Sequence, residues 1–102
     1  RALVARVHRR RARRAVSREA NIGFQAKSPS GDEGYVIMLF PPDQDGTVRY
    51  REWPCGQDPE LPGHDRRAPA GELVRRVEEW RRAGWKFTES PIRITHWLTE
   101  GR

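Results

Sequence analysis

The chain has 102 residues, 35% hydrophobic and 33% charged, with a net charge of +6. That length fits one small domain plus a tail and excludes a large core, so stability leans on a partner or on the large apolar areas of Trp53, Trp80, Trp85 and Trp97. Residues 1–20 hold eight Arg and one Glu, +7, while residues 21–102 hold 12 Lys or Arg against 13 Asp or Glu, which excludes a strongly charged body and assigns the basic character to one segment.

That segment, RALVARVHRRRARRAVSREA, has the Ala and Arg content of a helix, and the spacing puts Arg6, Arg9, Arg10 and Arg13 on one face. Val4, His8, Ala12, Ala15 and Val16 gather on the other side. Asn21 and Gly23 are plausible stops, so a basic helical arm is expected over residues 1–25. The Ser-, Pro- and Gly-rich stretch AKSPSGDEG, residues 26–34, reads as a flexible connector to a small α+β domain over residues 35–102.

Within that domain YVIMLF, PPDQDG and TVRYREW predict strand, turn and strand, with Asp45-Gly46 closing the hairpin. The first strand is expected to be central and the second more exposed, with Arg49, Arg51 and Trp53 sharing one face of the second. Residues 54–69 form a long Pro-rich loop of the kind that binds or is covered by a partner. Pro69 then opens a helix to about Ala83, stopped by Gly84, with Leu73, Val77 and Trp80 as its buried stripe and Glu72–Arg76 and Glu78–Arg82 as i, i+4 pairs. WKFTES and PIRITHWLT both alternate as strands. In the second, Arg93, Thr95 and Trp97 face one way and Ile92, Ile94, His96 and Leu98 the other, leaving His96 partly buried. The expected order is strand-strand-helix-strand-strand, a mostly antiparallel sheet covered by one helix and preceded by the Arg-rich helix.

Chemistry is sparse in this pattern. Cys55 is the one cysteine, which rules out an internal disulfide and suits an intracellular, reducing compartment, cytoplasm or organelle matrix. Cys55 and His64 share the long loop, but neither a nucleophilic pair nor the close spacing of a zinc site is present, and DQDG lacks the remaining ligands of a calcium loop. No catalytic residue, metal, cofactor or small-molecule substrate is expected. The longest apolar run, Tyr35 to Phe40, is far short of the roughly 20 residues that span a bilayer, so a soluble protein is expected. The chain opens on Arg1 and not Met, which reads as processing or as part of a longer product, and an Arg-rich, acid-poor opening also matches an organellar transit peptide.

Arginine neutralises phosphates and grips them with two parallel hydrogen bonds, so Arg6, Arg9, Arg10, Arg13 and Arg14 are the expected nucleic-acid contacts. Arg49, Arg51, Trp53, Arg93 and Trp97 are the expected contacts to bases or to a partner. The expectation is a non-catalytic accessory protein of a larger nucleoprotein assembly, bound to RNA or DNA. Its alternative is a structural subunit of a protein-only complex, with the arm on an acidic neighbour. The run from Glu72 to Trp97, a helix, then GWKF, then a segment ending THW, also resembles the helix-strand-His segment of HicA-type toxin ribonucleases over about a quarter of the chain. That family carries Gly-Ser-His where this chain has Ile94, Thr95 and His96. The resemblance implies a small ribonuclease with His96 as its base.

Overall fold

A computed structural model describes residues 21–100. The helix expected over residues 1–20, with Arg6, Arg9, Arg10, Arg13 and Arg14, lies outside the described residues. Strands β1 (Ile22–Lys27), β2 (Gly34–Leu39), β3 (Thr47–Pro54), β4 (Asp65–Pro69) and β5 (Lys86–Phe87) form one sheet in the order β4-β3-β2-β1-β5. Every neighbouring pair is antiparallel. With helices α1 (Ala70–Arg82) and α2 (Pro91–Glu100), the architecture is α+β. None of the described helices is long and apolar enough to cross a membrane.

The pleat sorts the strands into two faces, because successive side chains point opposite ways. Ile22, Phe24 and Ala26 of β1, Ile37 and Leu39 of β2, Val48 and Tyr50 of β3 and Ala68 of β4 are buried in one core cluster. Leu73 and Val77 of α1 and Ile94, Trp97 and Leu98 of α2 complete that cluster. Both helices therefore cover the same side of the sheet, and the opposite side carries no helix among the described residues.

The β2–β3 hairpin forms where the sequence places it, with β2 at the centre of the sheet. Its turn is held by Asp45, whose Oδ1 accepts the Thr47 N–H at 2.9 Å, and by Gly46, which takes a φ of 83° that a side chain would resist. The hydrogen bond from Thr47 holds the Asp45 carboxyl below the usual carboxylate range. Helix α1 also matches its expectation, with Pro69 as N-cap and Gly84, at φ 85°, just past Ala83 at the C-cap. Its ion pairs differ. Arg76 turns away from Glu72 to reach Glu52 of β3, and Arg81 pairs with Glu78 three residues back.

Three sequence expectations are corrected. Residues 22–27, expected as the end of the arm and the start of the connector, are β1, whose Ile22, Phe24 and Ala26 alternate with exposed Gly23, Gln25 and Lys27. Residues 28–33 make a tight turn, with the Ser28 N–H donating to the Glu33 carbonyl at 2.9 Å and the Gly31 N–H to the Ser28 carbonyl at 2.9 Å. Residues 65–69, expected inside the Pro-rich loop, pair with β3 as β4. Residues 91–100, expected as a strand, are helical, so two helices and not one cover the sheet. Pro91 suits a first helical turn, the Ser90 hydroxyl accepts the Arg93 N–H at 3.4 Å, and Ile94, Trp97 and Leu98 fall on one helical face. The alternation Ile92, Ile94, His96, Leu98 was present in sequence, but burial against α1 selected the helical period.

Candidate functional site

The face of the sheet opposite the helices is the principal unfilled surface of the described residues. By the alternation of each strand it presents Gln25 and Lys27 of β1, Val36 and Met38 of β2, Arg49, Arg51 and Trp53 of β3, Asp65 and Arg67 of β4, and Lys86 of β5. Lys27, Arg49, Arg51, Arg67 and Lys86 thus face solvent together with Asp65 as the sole strand carboxylate on that side. A body that is neutral in sum thus presents five cations against one strand carboxylate on this face.

Two pairs of like charges sit directly opposite one another across strand boundaries. Arg49 of β3 is the register partner of Arg67 of β4, and Lys27 of β1 is the partner of Lys86 of β5. All four are exposed. Like charges directly across an antiparallel pair are destabilising, so neither arrangement serves the sheet itself. The Arg49 guanidinium lies 5.4 Å from the centroid of the Phe40 ring, and Arg67 meets Asp43 at 3.3 Å. Arg49, Lys27 and Lys86 have no ion-pair partner among the described residues.

Each pair borders a cleft. One, of about 330 Å³, is lined by Phe40, Arg49, Tyr50, Asp65, Arg66 and Arg67. The other, of about 300 Å³, lies between the 28–31 turn and β5 and includes Gln25, Lys27, Lys86 and Thr88. Tyr50 lies on the core side of β3, where burial, and then the charge of Glu52, push its phenol above the ordinary value.

Arg51 and Trp53, expected beside Arg49 as contacts, share its face but are already engaged. The Arg51 guanidinium donates to the Pro59 carbonyl at 2.7 Å, lies 3.5 Å from an Asp65 oxygen, and covers the Trp53 ring at 5.4 Å. His64, 8% exposed, tilts against Trp53 at 5.8 Å, and its Nε2 is 3.3 Å from the Asp58 carbonyl. The loop between β3 and β4 is thereby fastened to this corner of the sheet. Trp53 keeps a half-buried ring, and Arg49 is the freer of the two strand arginines.

Arg93 and Trp97 do not join this face. Both are on α2, on the other side of the sheet. Trp97 is 6% exposed and part of the core, which removes it as a base or partner contact, and Arg93 is paired with Glu89 at 3.5 Å. His96, expected to be partly buried on a strand, is exposed on the same helix. The strand that the ribonuclease resemblance implies at that point is absent. Cys55 is half-buried with a free thiol.

Sequence reasoning found Arg49, Arg51 and Trp53 from the strand period and missed Lys27, Arg67 and Lys86. Lys27 read as connector and Arg67 as loop, while Lys86 fell in an expected strand whose partner the sequence did not name. The signal that unites them is pairing register, which no single segment carries.

The chain matches no family model, no curated protein and no solved structure.

Proposed function

We propose that this chain is a non-catalytic nucleic-acid-binding module of a larger nucleoprotein assembly, in which the open sheet face holds a single-stranded segment. One observation carries the reading. Arg49 and Arg67 stand side by side in register on a sheet face that carries no helix among the described residues, at a cost to the sheet that an incoming phosphate would reverse. Phe40 beneath Arg49 and half-buried Trp53 further along β3 supply aromatic rings on which bases stack. A sheet dressed with arginine and aromatic side chains suits unpaired bases better than a duplex, whose bases are already stacked.

The arginine-rich opening of the chain strengthens the reading through its point of attachment. Ile22 of β1 is the partner of Leu39, next to Phe40, so residues 1–20 join the sheet at the end where Arg49 and Arg67 lie. Arg6, Arg9, Arg10, Arg13 and Arg14 would add phosphate contacts to the same ligand.

The test is retention of fluorescent single-stranded RNA and DNA by the full chain across a salt series. For single strands the logarithm of affinity falls with the logarithm of salt by about 0.7 per phosphate neutralised, so Arg49→Ala with Arg67→Ala, which removes the one phosphate contact of that pair, should reduce the slope by about 0.7. An unchanged slope in the double variant would remove the sheet face from the function. Purification of the intact chain with an acidic protein and without nucleic acid would instead favour the protein-only subunit.

A further inference from the structure

The two like-charge pairs occupy diagonally opposite corners of the open face. Arg49 and Arg67 lie on β3 and β4 at one end, and Lys27 and Lys86 lie on β1 and β5 at the other. The row through Lys27 continues to Gly34, whose carbonyl accepts the Cys55 N–H, so the two pairs are six residues apart along the strands. With ~4.8 Å between strands and ~3.3 Å per residue, three strand spacings and six residues give a separation of ~24 Å. Between the corners lie Met38 and Val36 of β2, both half-buried, and Gln25. The side chains between the pairs are uncharged apart from Arg51, which the Pro59 carbonyl and Asp65 engage.

We infer that the open face binds one single-stranded nucleic acid along this diagonal, with a phosphate at the Arg49–Arg67 pair and another at the Lys27–Lys86 pair. The inference rests on the proposed nucleic-acid reading and adds to it a second anchor, a direction across the sheet and a minimum ligand length. At roughly 6 Å per step of extended backbone, two phosphates ~24 Å apart are about four steps apart, so an oligomer without terminal phosphates needs about six nucleotides to reach both pairs, within the site sizes of sheet-based single-strand binders. Shorter strands reach one pair at a time. Once a strand reaches both, the second contact becomes intramolecular, and affinity rises faster than the number of binding registers. Charge selects this occupant. The corners hold four exposed cations with Asp43 as their one ion-pair partner among the described residues, and the apolar floor between them suits base faces better than a second row of phosphates.

A length series of thymidine and uridine oligomers, from about two to about eight nucleotides, measured by fluorescence polarisation with the full chain, tests the inference. The expected result is a step of at least ~10-fold in affinity as length reaches about six nucleotides. Lys27→Ala with Lys86→Ala should abolish the step while leaving the shortest oligomers within about twofold of their parent affinity through the Arg49–Arg67 pair, and both double variants should unfold at or above the thermal midpoint of the parent. Binding that grows smoothly with length, or a step that survives the lysine variant, would overturn the diagonal path while leaving the nucleic-acid reading intact. Failure of every oligomer to bind would overturn both. Equal displacement by a poly-glutamate peptide of matched charge would overturn the choice of occupant.

Discussion

Arg76 shows how one side chain can join two layers of the fold. From α1 it donates through both terminal nitrogens to the Glu52 carboxylate on β3, one contact at 2.7 Å, while its guanidinium covers Trp80 at 4.5 Å and Tyr35 at 5.8 Å. Trp85 stacks on Trp80 with centroids 4.6 Å apart, so the ion pair is closed on one side by aromatic rings. Burial works against the Arg76 charge, but the hydrogen bonds and charge of Glu52 outweigh it, and the net effect raises the guanidinium above its ordinary value. Arg76→Ala would leave the Glu52 carboxyl, 16% exposed, without its partner. A fully buried broken pair costs about 3–5 kcal/mol, and solvent access here reduces the expectation to about 2 kcal/mol. Arg76→Lys should recover less than half of that loss, because an ammonium can neither form the two parallel bonds nor stack as a plane. Urea unfolding of the three proteins measures the series, and a lysine variant as stable as the parent would show that charge alone matters. The sequence pointed Arg76 at Glu72 by local spacing. The pair with Glu52 was hidden because it joins residues 24 apart, through a contact that exists only once α1 has docked.

At the level of elements, legibility followed the number of structural periods that a segment could satisfy. Helix α1 has one strong period and two good boundary residues, and it was readable almost to the residue. The β2–β3 hairpin was equally clear from its apolar run and its Asp45-Gly46 turn. Strand β1 also alternates cleanly, but the helical arm before it invited Asn21 and Gly23 to be read as a helix end. Strand β4 is short, lies on a sheet edge and ends in Pro69, which suits an edge because proline has no N–H to leave unpaired. Such a strand has almost no signature of its own. In α2 the strand and helix periods coexist, and β-branched Ile92, Ile94 and Thr95 add a local bias to the strand. The two readings separate at Ile92 and Ile94, two positions apart. A strand would place Ile92 and Ile94 on one face, whereas the helix leaves Ile92 74% exposed and Ile94 fully buried. Ile92→Ala should therefore shift stability by less than about 0.5 kcal/mol, while Ile94→Ala should lower it by about 2–4 kcal/mol. Equal losses in chemical denaturation would contradict the helical placement.

Across the whole molecule, the informative quantity is the distribution of charge and not its total. Net charge located the basic opening segment and made the rest look neutral. Folding then gathers five of the body's twelve cations, Lys27, Arg49, Arg51, Arg67 and Lys86, on the open face, with Glu52 turned to the helix side beside Arg76. Half of that face was legible, since Arg49, Arg51 and Trp53 lie on one strand. The other half depends on which strands become neighbours, and above all on β5 returning beside β1 after α1. The same register makes a prediction that sets stability against binding. Lys86→Glu replaces a repulsion with Lys27 by an attraction at an exposed position, so it should stabilise the fold by up to about 0.5 kcal/mol, less at high salt. The same change places a carboxylate where the proposed ligand needs a cation, so binding of long single strands should fall by at least ~10-fold. The thermal midpoint and the polarisation titration measured on one preparation give both quantities. A rise in stability with loss of binding is the signature of a residue kept for a ligand at the expense of the fold. If Lys86→Glu lowers stability and leaves binding unchanged, the Lys27–Lys86 pair belongs to the sheet and not to a binding site.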